Sequence, residues 1–195
     1  MIFTVFGVKV EISVPFCIVM SFLLINDKTG LMSASMLAVF IHESGHLLCM
    51  RALNCQPQSV KLSAAGALIC GSKYCTASEN VLIAISGPIA NVLFCLLFYI
   101  AFVLHGSFLL LCFSVVQFAV GVMNLLPIKG LDGGTVVFCV LSRFNINAEF
   151  VTRFISIVFS CAVLTFGTFL AIKNTDNPSM LLLGIYLIVL NVMKR

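Results

Sequence analysis

An uncharged run of 25 residues, from position 80 to 104, is the feature that most constrains how this chain can fold. About 20 apolar residues are enough for a helix to cross the hydrocarbon core of a bilayer. Similar runs recur along the 195 residues, of which 61% are hydrophobic and only 9% charged. No soluble domain of this size can bury so much apolar surface, so we predict a polytopic membrane protein.

The apolar runs predict an all-α membrane fold with six transmembrane helices. They lie at about residues 12–25, 31–51, 80–104, 108–126, 150–172 and 179–192. Alternating residues near the N terminus and over 59–69 predict a small β-sheet at the membrane boundary. We expect a single intramembrane domain over residues 1–195, without a PDZ or CBS domain.

The basic residues predict the orientation in the membrane. Six spans place both termini on one side, and nine of the eleven basic residues fall on that side. These nine are Lys9, Arg51, Lys61, Lys73, Lys129, Arg143, Arg153, Lys194 and Arg195, against Lys28 and Lys173 on the other side. Because Lys and Arg are enriched in cytoplasmic loops, we predict cytoplasmic termini. The net charge of +4 therefore reflects topology, and we expect no nucleic-acid partner.

The second apolar run contains the pattern H-E-x-x-H at residues 42–46. On a helix, His42 and His46 project from one face and suit two ligands of a single zinc ion. Glu43 lies beside them and can act as general base toward water at the metal. Such polar groups are costly at bilayer depth, which favours a functional role over a packing role. At 1.5 Å per residue, the pair lies roughly 16 to 22 Å from the outer end of its helix, nearer the cytoplasm.

A third ligand is expected, because catalytic zinc usually has three protein ligands and one open position. Of the seven acidic residues, Asp132 alone lies where a proline and glycines break an apolar run on the cytoplasmic side. We therefore predict Asp132 as the third ligand. Its alternative role is to cap a short helix predicted at about 135–143. Cys49, one turn beyond His46, is expected to be a core cysteine rather than a ligand.

Three motifs in series resemble a known family. They are H-E-x-G-H at 42–46, G-P-x-x-N at 87–91 and N-x-x-P-x-x-x-L-D-G at 124–133. Together they resemble the site-2 protease family of intramembrane zinc metalloproteases, and the resemblance spans nearly the whole chain. Within the family, the chain is most similar to the compact bacterial type that includes stage IV sporulation protein FB.

This resemblance implies residue roles. It implies one zinc ion bound by His42, His46 and Asp132, with Glu43 as base and acid. It also implies that Asn124 holds the substrate or stabilises the oxyanion; the alternative is that Asn124 satisfies backbone groups freed by the following proline. The middle motif is expected to let the third span approach the second rather than to contact substrate; its residues are Gly87, Pro88 and Asn91.

The implied activity is that of a zinc metalloendopeptidase (EC 3.4.24.-) in a bacterial cell membrane, with its active site within the bilayer toward the cytoplasm. Its expected partners are the lipid bilayer and a membrane-tethered protein substrate, such as a sigma-factor precursor or anti-sigma factor acting in sporulation. Extended substrate could add to an edge in segment 59–69. A homo-oligomer or a regulatory membrane partner is left open. The alternative is a metal or ion transporter or a non-proteolytic zinc-binding membrane protein, but a transporter should carry more ionisable residues within its spans.

Overall fold

Helices account for most of the chain in the computed structural model, which describes residues 2–5, 8–12, 21, 24–25, 27–55, 59–63, 66–70, 75–144, 147–173 and 179–193. The named helices are α1 (Leu31–Ala52), α2 (Ala77–His105), α3 (Phe108–Asn124), α4 (Asp132–Ser142), α5 (Ala148–Lys173) and α6 (Ser179–Met193). Five of them match predicted spans to within a few residues. Most of the predicted first span, 12–25, lies outside the described residues.

Local sequence determines where several helices begin. Thr76 and Glu79 form a capping box before α2: the Thr76 hydroxyl accepts from the Glu79 amide, and the Glu79 carboxylate accepts from the Thr76 amide. The helix α4 begins at Asp132, three residues earlier than predicted. Its N-cap is Leu131, so Asp132 lies within the first turn of α4 and not before the helix, as the capping alternative had expected.

Two helices, α2 and α5, are long and apolar enough to cross a membrane. In their most apolar stretches only 28% and 17% of the residues are buried, whereas the core helix of a soluble protein would be mostly buried. Their outward surfaces carry large apolar side chains such as Leu97, Leu104 and Phe154. This exposure is what a lipid environment requires. The helices α3, α4 and α6 are apolar but shorter, and six spans remain a prediction.

Four short strands form one sheet in the order β1-β2-β3-β4. They are β1 (Ile2–Val5), β2 (Val8–Ile12), β3 (Ser59–Ser63) and β4 (Gly66–Cys70). The pairs β1–β2 and β3–β4 are antiparallel, and β2 pairs with β3 in parallel. Because β3 has neighbours on both sides, residues 59–63 cannot accept a further strand; within the sheet as described, β1 and β4 are the outer strands. Of the segment 59–69, for which an edge was predicted, residues 59–63 are therefore not an edge, whereas residues 66–69 lie on the outer strand β4.

The chain divides into two compact units, residues 1–122 and 123–195. In the first unit α1 packs on α2, and in the second α6 packs on α5. Glycines permit the close approach in both: a Cβ at Gly45 would lie 2.7 Å from the Ser86 carbonyl oxygen, and one at Gly184 would lie 2.6 Å from the Leu164 Cα. Small residues at such contacts are typical of helix pairs in membranes.

Candidate metal centre

Two buried histidines on α1 form the core of the candidate site. His42 and His46 are 4% and 7% exposed, and their Nε2 atoms lie 3.1 Å apart. Two imidazole nitrogens bound to one zinc at 2.0–2.1 Å in tetrahedral geometry would be about 3.3 Å apart. The spacing of the two rings therefore fits two ligands of a single ion.

Hydrogen bonds on the far side of each ring determine which nitrogen can bind metal. His42 Nδ1 lies 2.6 Å from Asn91 Oδ1, and His46 Nδ1 lies 2.7 Å from the Ile83 carbonyl oxygen. The Ile83 carbonyl can only accept, so His46 Nδ1 carries the proton. With His42 in the matching tautomer, two Nε2 lone pairs face each other at 3.1 Å, an arrangement that a cation between them stabilises.

The tautomer of His42 is determined by the surroundings of Asn91, a fully buried residue of α2. The Asn91 amide nitrogen donates to the Ala38 carbonyl oxygen at 3.0 Å and to Gln117 Oε1 at 2.6 Å. Because both neighbours are acceptors, the amide group must turn its oxygen toward His42. His42 Nδ1 is thus the donor, and Nε2 is the nitrogen available to a metal.

Glycines on the two helices make room for the rings. A Cβ at Gly87 would lie 2.6 Å from the His46 Cε1 and Nε2 atoms and 2.9 Å from His42 Cε1. The prediction that Gly87 permits close approach of the two helices is thus confirmed, with the imidazoles as the groups it accommodates. Gly45 likewise faces Gly87, whose Cα would lie 3.1 Å from an added Cβ. Pro88 lies inside the continuous helix α2 and is fully buried, so residues 87–88 do not form a turn.

The other residues near the pair on α1 have distinct environments. Glu43 follows His42 directly and is half-buried. Cys49 packs against the buried cluster of Met50, Cys55 and Ile83, as expected of a core cysteine. Cys75 packs against the same cluster. His105 is the exposed last residue of α2.

The predicted third ligand belongs to the second unit. Asp132 is the first residue of α4 and is half-buried. The preceding turn packs tightly onto this helix start, because a Cβ at Gly133 would lie 2.1 Å from the Leu125 carbonyl oxygen and one at Gly134 would lie 2.2 Å from the Ile128 carbonyl oxygen. The L-D-G sequence thus allows backbone to pass directly beside the residue that carries the carboxylate.

His42 and His46 of the first unit and Asp132 of the second are of the residue types that bind zinc, and they are the three ligands that the sequence predicts. Asn124, which was predicted to contact the substrate or the oxyanion, is the last residue of α3 and is half-buried. A set of two imidazoles and one carboxylate leaves a fourth tetrahedral position for water or substrate, as catalytic zinc sites require. The donor set and the orientation of both rings therefore fit zinc.

Comparisons with known proteins agree with this chemistry. The family model described as "Peptidase family M50" matches residues 105–166, which include the motif at 124–133. The site-2 protease from Methanocaldococcus jannaschii has a similar structure, with a TM-score of 0.73 and 18% sequence identity, over 99% of this chain and 94% of that chain. A comparison with curated protein sequences finds no match.

These matches support a membrane metalloprotease. The resemblance to the site-2 protease family, indicated by the three motifs, is confirmed by the family model and by the shared fold. The proteins of family M50 are zinc metalloproteases.

Sequence reasoning missed two residues of the site. Asn91 was expected to be a packing residue, yet its side chain orients His42. Gln117, on α3, fixes the Asn91 amide and was not singled out. Both are amides within long apolar runs, where polar side chains are costly unless they have partners. That cost is the signal by which they could have been found.

Proposed function

We propose that this chain is an intramembrane zinc metalloendopeptidase that hydrolyses peptide bonds in membrane-tethered proteins. The observation that carries the proposal is the buried histidine pair, whose Nε2 atoms lie 3.1 Å apart while an oxygen acceptor orients each ring from its Nδ1 side. Such a costly arrangement within an apolar helix pair has little use other than binding a cation.

His42, His46 and Asp132 hold the ion in this proposal. Zinc bound there would supply a Lewis acid that polarises the substrate carbonyl and lowers the pKa of water to about 7. Asn91 and the Ile83 carbonyl keep the two imidazoles in the neutral tautomer that presents Nε2. Outer partners of this kind raise the basicity of the ligand and prevent ring rotation.

Glu43 acts as general base and acid. It adjoins His42 on α1 and is half-buried, so its carboxylate can take a proton from water at the site and return it to the amine that leaves. Asn124 holds the substrate or donates to the oxyanion through its side-chain amide. Its position at the end of α3 puts it where the backbone leaves helical geometry before α4.

The substrate is a membrane-spanning or membrane-associated protein, which must unwind locally before its carbonyls become accessible. The outer strand β4 offers backbone groups to an extended segment of such a protein. By family resemblance, sigma-factor precursors and anti-sigma factors are the substrate class, in a bacterial cell membrane crossed six times by this chain with both termini cytoplasmic. A role in sporulation follows the same resemblance.

The transporter alternative is disfavoured by the composition of the buried polar set. Among the described residues, the buried polar side chains are His42, His46, Asn91, Ser114, Gln117, Thr152, Ser156, Ser160 and Asn191. None of them is Asp, Glu, Lys or Arg. Ion relays through a membrane use such groups across several helices, and here the ionisable residues of the set are confined to one pair.

The test is the variant Glu43→Gln, which removes the base and leaves the proposed ligands in place. We expect the purified variant to bind one zinc ion per chain, as the wild type does. Cells that express the variant should accumulate uncut membrane proteins. The new termini that cleavage creates should appear only in cells that express the wild type. Quantitative labelling of protein termini in membrane fractions measures this difference, and substrates trapped by the variant can be identified by mass spectrometry.

Ser44→Ala is a matched control, because Ser44 is the next residue of α1 and its hydroxyl bonds only to the Phe40 carbonyl of the same helix among the contacts recorded for it. It should retain both zinc and cleavage. Equal cleavage by Glu43→Gln and the wild type would overturn the mechanism, and a wild-type chain without zinc would overturn the metal assignment.

A further inference from the structure

A chain of hydrogen bonds from the buried side chains of Ser156 and Asn191 in the second unit ends on the turn that precedes Asp132. The Lys129 backbone N–H donates to Ser156 Oγ at 2.8 Å. The Ser156 hydroxyl in turn donates to Asn191 Oδ1. Ser156 is fully buried and Asn191 is 6% exposed. One serine hydroxyl therefore connects the backbone of the turn to the side chain of a residue on α6.

The orientation of Asn191 is determined by its other contacts. Its amide nitrogen donates to Ser160 Oγ at 2.9 Å and to the Leu187 carbonyl oxygen at 3.1 Å. The Ser160 hydroxyl uses its proton on the Ser156 carbonyl at 2.8 Å, so it can only accept from Asn191. The amide oxygen of Asn191 must then face Ser156, whose remaining lone pairs face the Lys129 amide.

The anchored turn is in rigid contact with the start of α4. Ile128 is completely buried, and its carbonyl accepts from the Leu131 amide at 3.0 Å. The carbonyls of Leu125 and Ile128 lie against Gly133 and Gly134, where no Cβ would fit. A displacement of the turn would therefore displace the first turn of α4, including Asp132.

We propose that Ser156 and Asn191 are positioning residues for the Asp132 carboxylate, acting through the Lys129 amide and the turn at 125–131. The inference rests on the proposed function, in which Asp132 is a zinc ligand. The usual support for a metal ligand is a hydrogen bond to the ligand side chain itself. In this chain, the hydrogen bond from the Lys129 amide to Ser156 instead holds the backbone of the segment that carries Asp132.

The ion pair between Lys129 Nζ and Glu149, at 3.6 Å, joins the same turn to the start of α5. The Glu149 side chain is 76% exposed, so this contact contributes little. The bond to the fully buried Ser156 hydroxyl is the one expected to matter, because a partly buried amide that loses its acceptor bears much of the cost of its desolvation.

The experiment compares Ser156→Ala with Thr152→Val in the full-length chain, purified in detergent. Thr152 lies one turn earlier on α5, is 4% exposed, and its hydroxyl has no partner among the described residues. Two readouts are used: hydrogen exchange of peptides that contain the Lys129 amide, measured without metal, and zinc affinity, measured by competition with a chromophoric chelator. Asp132→Ala provides the reference for loss of the ligand.

Ser156→Ala should accelerate exchange of the Lys129 amide by about tenfold, as expected for one lost buried hydrogen bond. It should also weaken zinc binding by about tenfold, toward the lower end of the range for outer partners of metal ligands. Thr152→Val should change neither. Asn191→Ala, which leaves the hydroxyl but removes the group that orients it, provides a second test if Ser156→Ala does not fold.

Two outcomes would overturn the inference in distinguishable ways. If Asp132→Ala weakens zinc binding but Ser156→Ala and Asn191→Ala leave it unchanged, the positioning role is wrong and the proposed function stands. If Asp132→Ala leaves zinc affinity unchanged while His42→Ala abolishes binding, the third ligand is wrong, and the positioning role fails with it.

Discussion

The first and second units support their candidate ligands in different ways. In the first unit, His42 and His46 lie on a regular helix, and the neighbouring helix orients the rings through Asn91 and the Ile83 carbonyl. In the second unit, Asp132 follows an irregular turn whose backbone is held through Lys129 and closely packed against glycines. Side-chain contacts support the imidazoles, whereas backbone contacts support the segment that carries the carboxylate.

The difference follows from what each ligand requires. An imidazole must present one particular nitrogen, so it needs a hydrogen-bonding partner on the other nitrogen. A carboxylate has two equivalent oxygens and requires mainly the correct location. Substitutions that disturb the first unit should therefore impair metal binding with little effect on the backbone. Substitutions in the second unit should first disturb the backbone itself.

Gly87→Ala should have the largest effect on the metal. The added Cβ would lie 2.6 Å from His46 Nε2, so the ring must leave the position that a metal requires. Imidazoles can rotate away at modest cost, and the helices need not separate. We expect zinc affinity to fall at least about 100-fold, which is the upper end of the range for losing a hydrogen-bonding partner of a metal ligand. The unfolding temperature of the metal-free protein should change little.

Gly133→Ala is the contrasting arm of this experiment. Its Cβ would lie 2.1 Å from the Leu125 carbonyl oxygen, and backbone cannot rotate away as a ring can. We expect the free energy of unfolding to fall by about 1–3 kcal/mol even without metal. Equal losses of metal-free stability in the two variants would show that the two units do not differ in the way described.

Asn91→Ala should have a smaller effect than Gly87→Ala, because it leaves space rather than creating a clash. His42 would lose the acceptor that fixes its tautomer, and Gln117 would lose its donor. Zinc affinity should fall by about 10- to 100-fold. Ser114→Ala is the control: Ser114 is also buried but donates to the Cys95 carbonyl on α2. If both variants retained wild-type affinity, Asn91 would be a packing residue after all.

Local spacing predicted much of the fold and part of the site. Because helical residues four apart share a face, the pair His42 and His46 could be predicted from H-E-x-x-H alone. Apolar runs located α1, α2, α3, α5 and α6 because each of these helices coincides with a continuous apolar run. The G-P-x-x-N motif indicated close helix packing, and the Gly87 contact confirms it.

Contacts between distant residues could not be predicted in this way. Asn91 is 49 positions from His42, and nothing in either segment specifies which amide group faces the ring. The parallel pairing of β2 with β3 makes β3 an inner strand, yet the hairpin pattern at 59–69 is the same for an inner or an outer strand. Asn191 and Ser156 are single polar residues in apolar helices, and their partnership depends on the packing of α5 and α6.

The smallest expected effect concerns how α1 and α4 begin. The helix α1 begins after Gly30, and Asp27 accepts from the Ser33 amide and hydroxyl at 2.9 Å each; the N-cap of α4 is Leu131, whose side chain cannot accept a hydrogen bond. The Ser33 backbone N–H is the main cause that lowers the pKa of Asp27 from 3.8 to about 2. A depressed pKa means that the charged cap stabilises the helix start fully above about pH 4 and that this stabilisation is lost as the pH falls through 2.

A carboxyl titration of Asp27 by carbon NMR should therefore have its midpoint near pH 2. The substitution Ser33→Ala should raise this midpoint only partly, because the Ser33 backbone amide remains as a donor. A wild-type midpoint at the ordinary value of 3.8 would mean that Asp27 does not cap α1, and that α1 and α4 do not differ in how they begin.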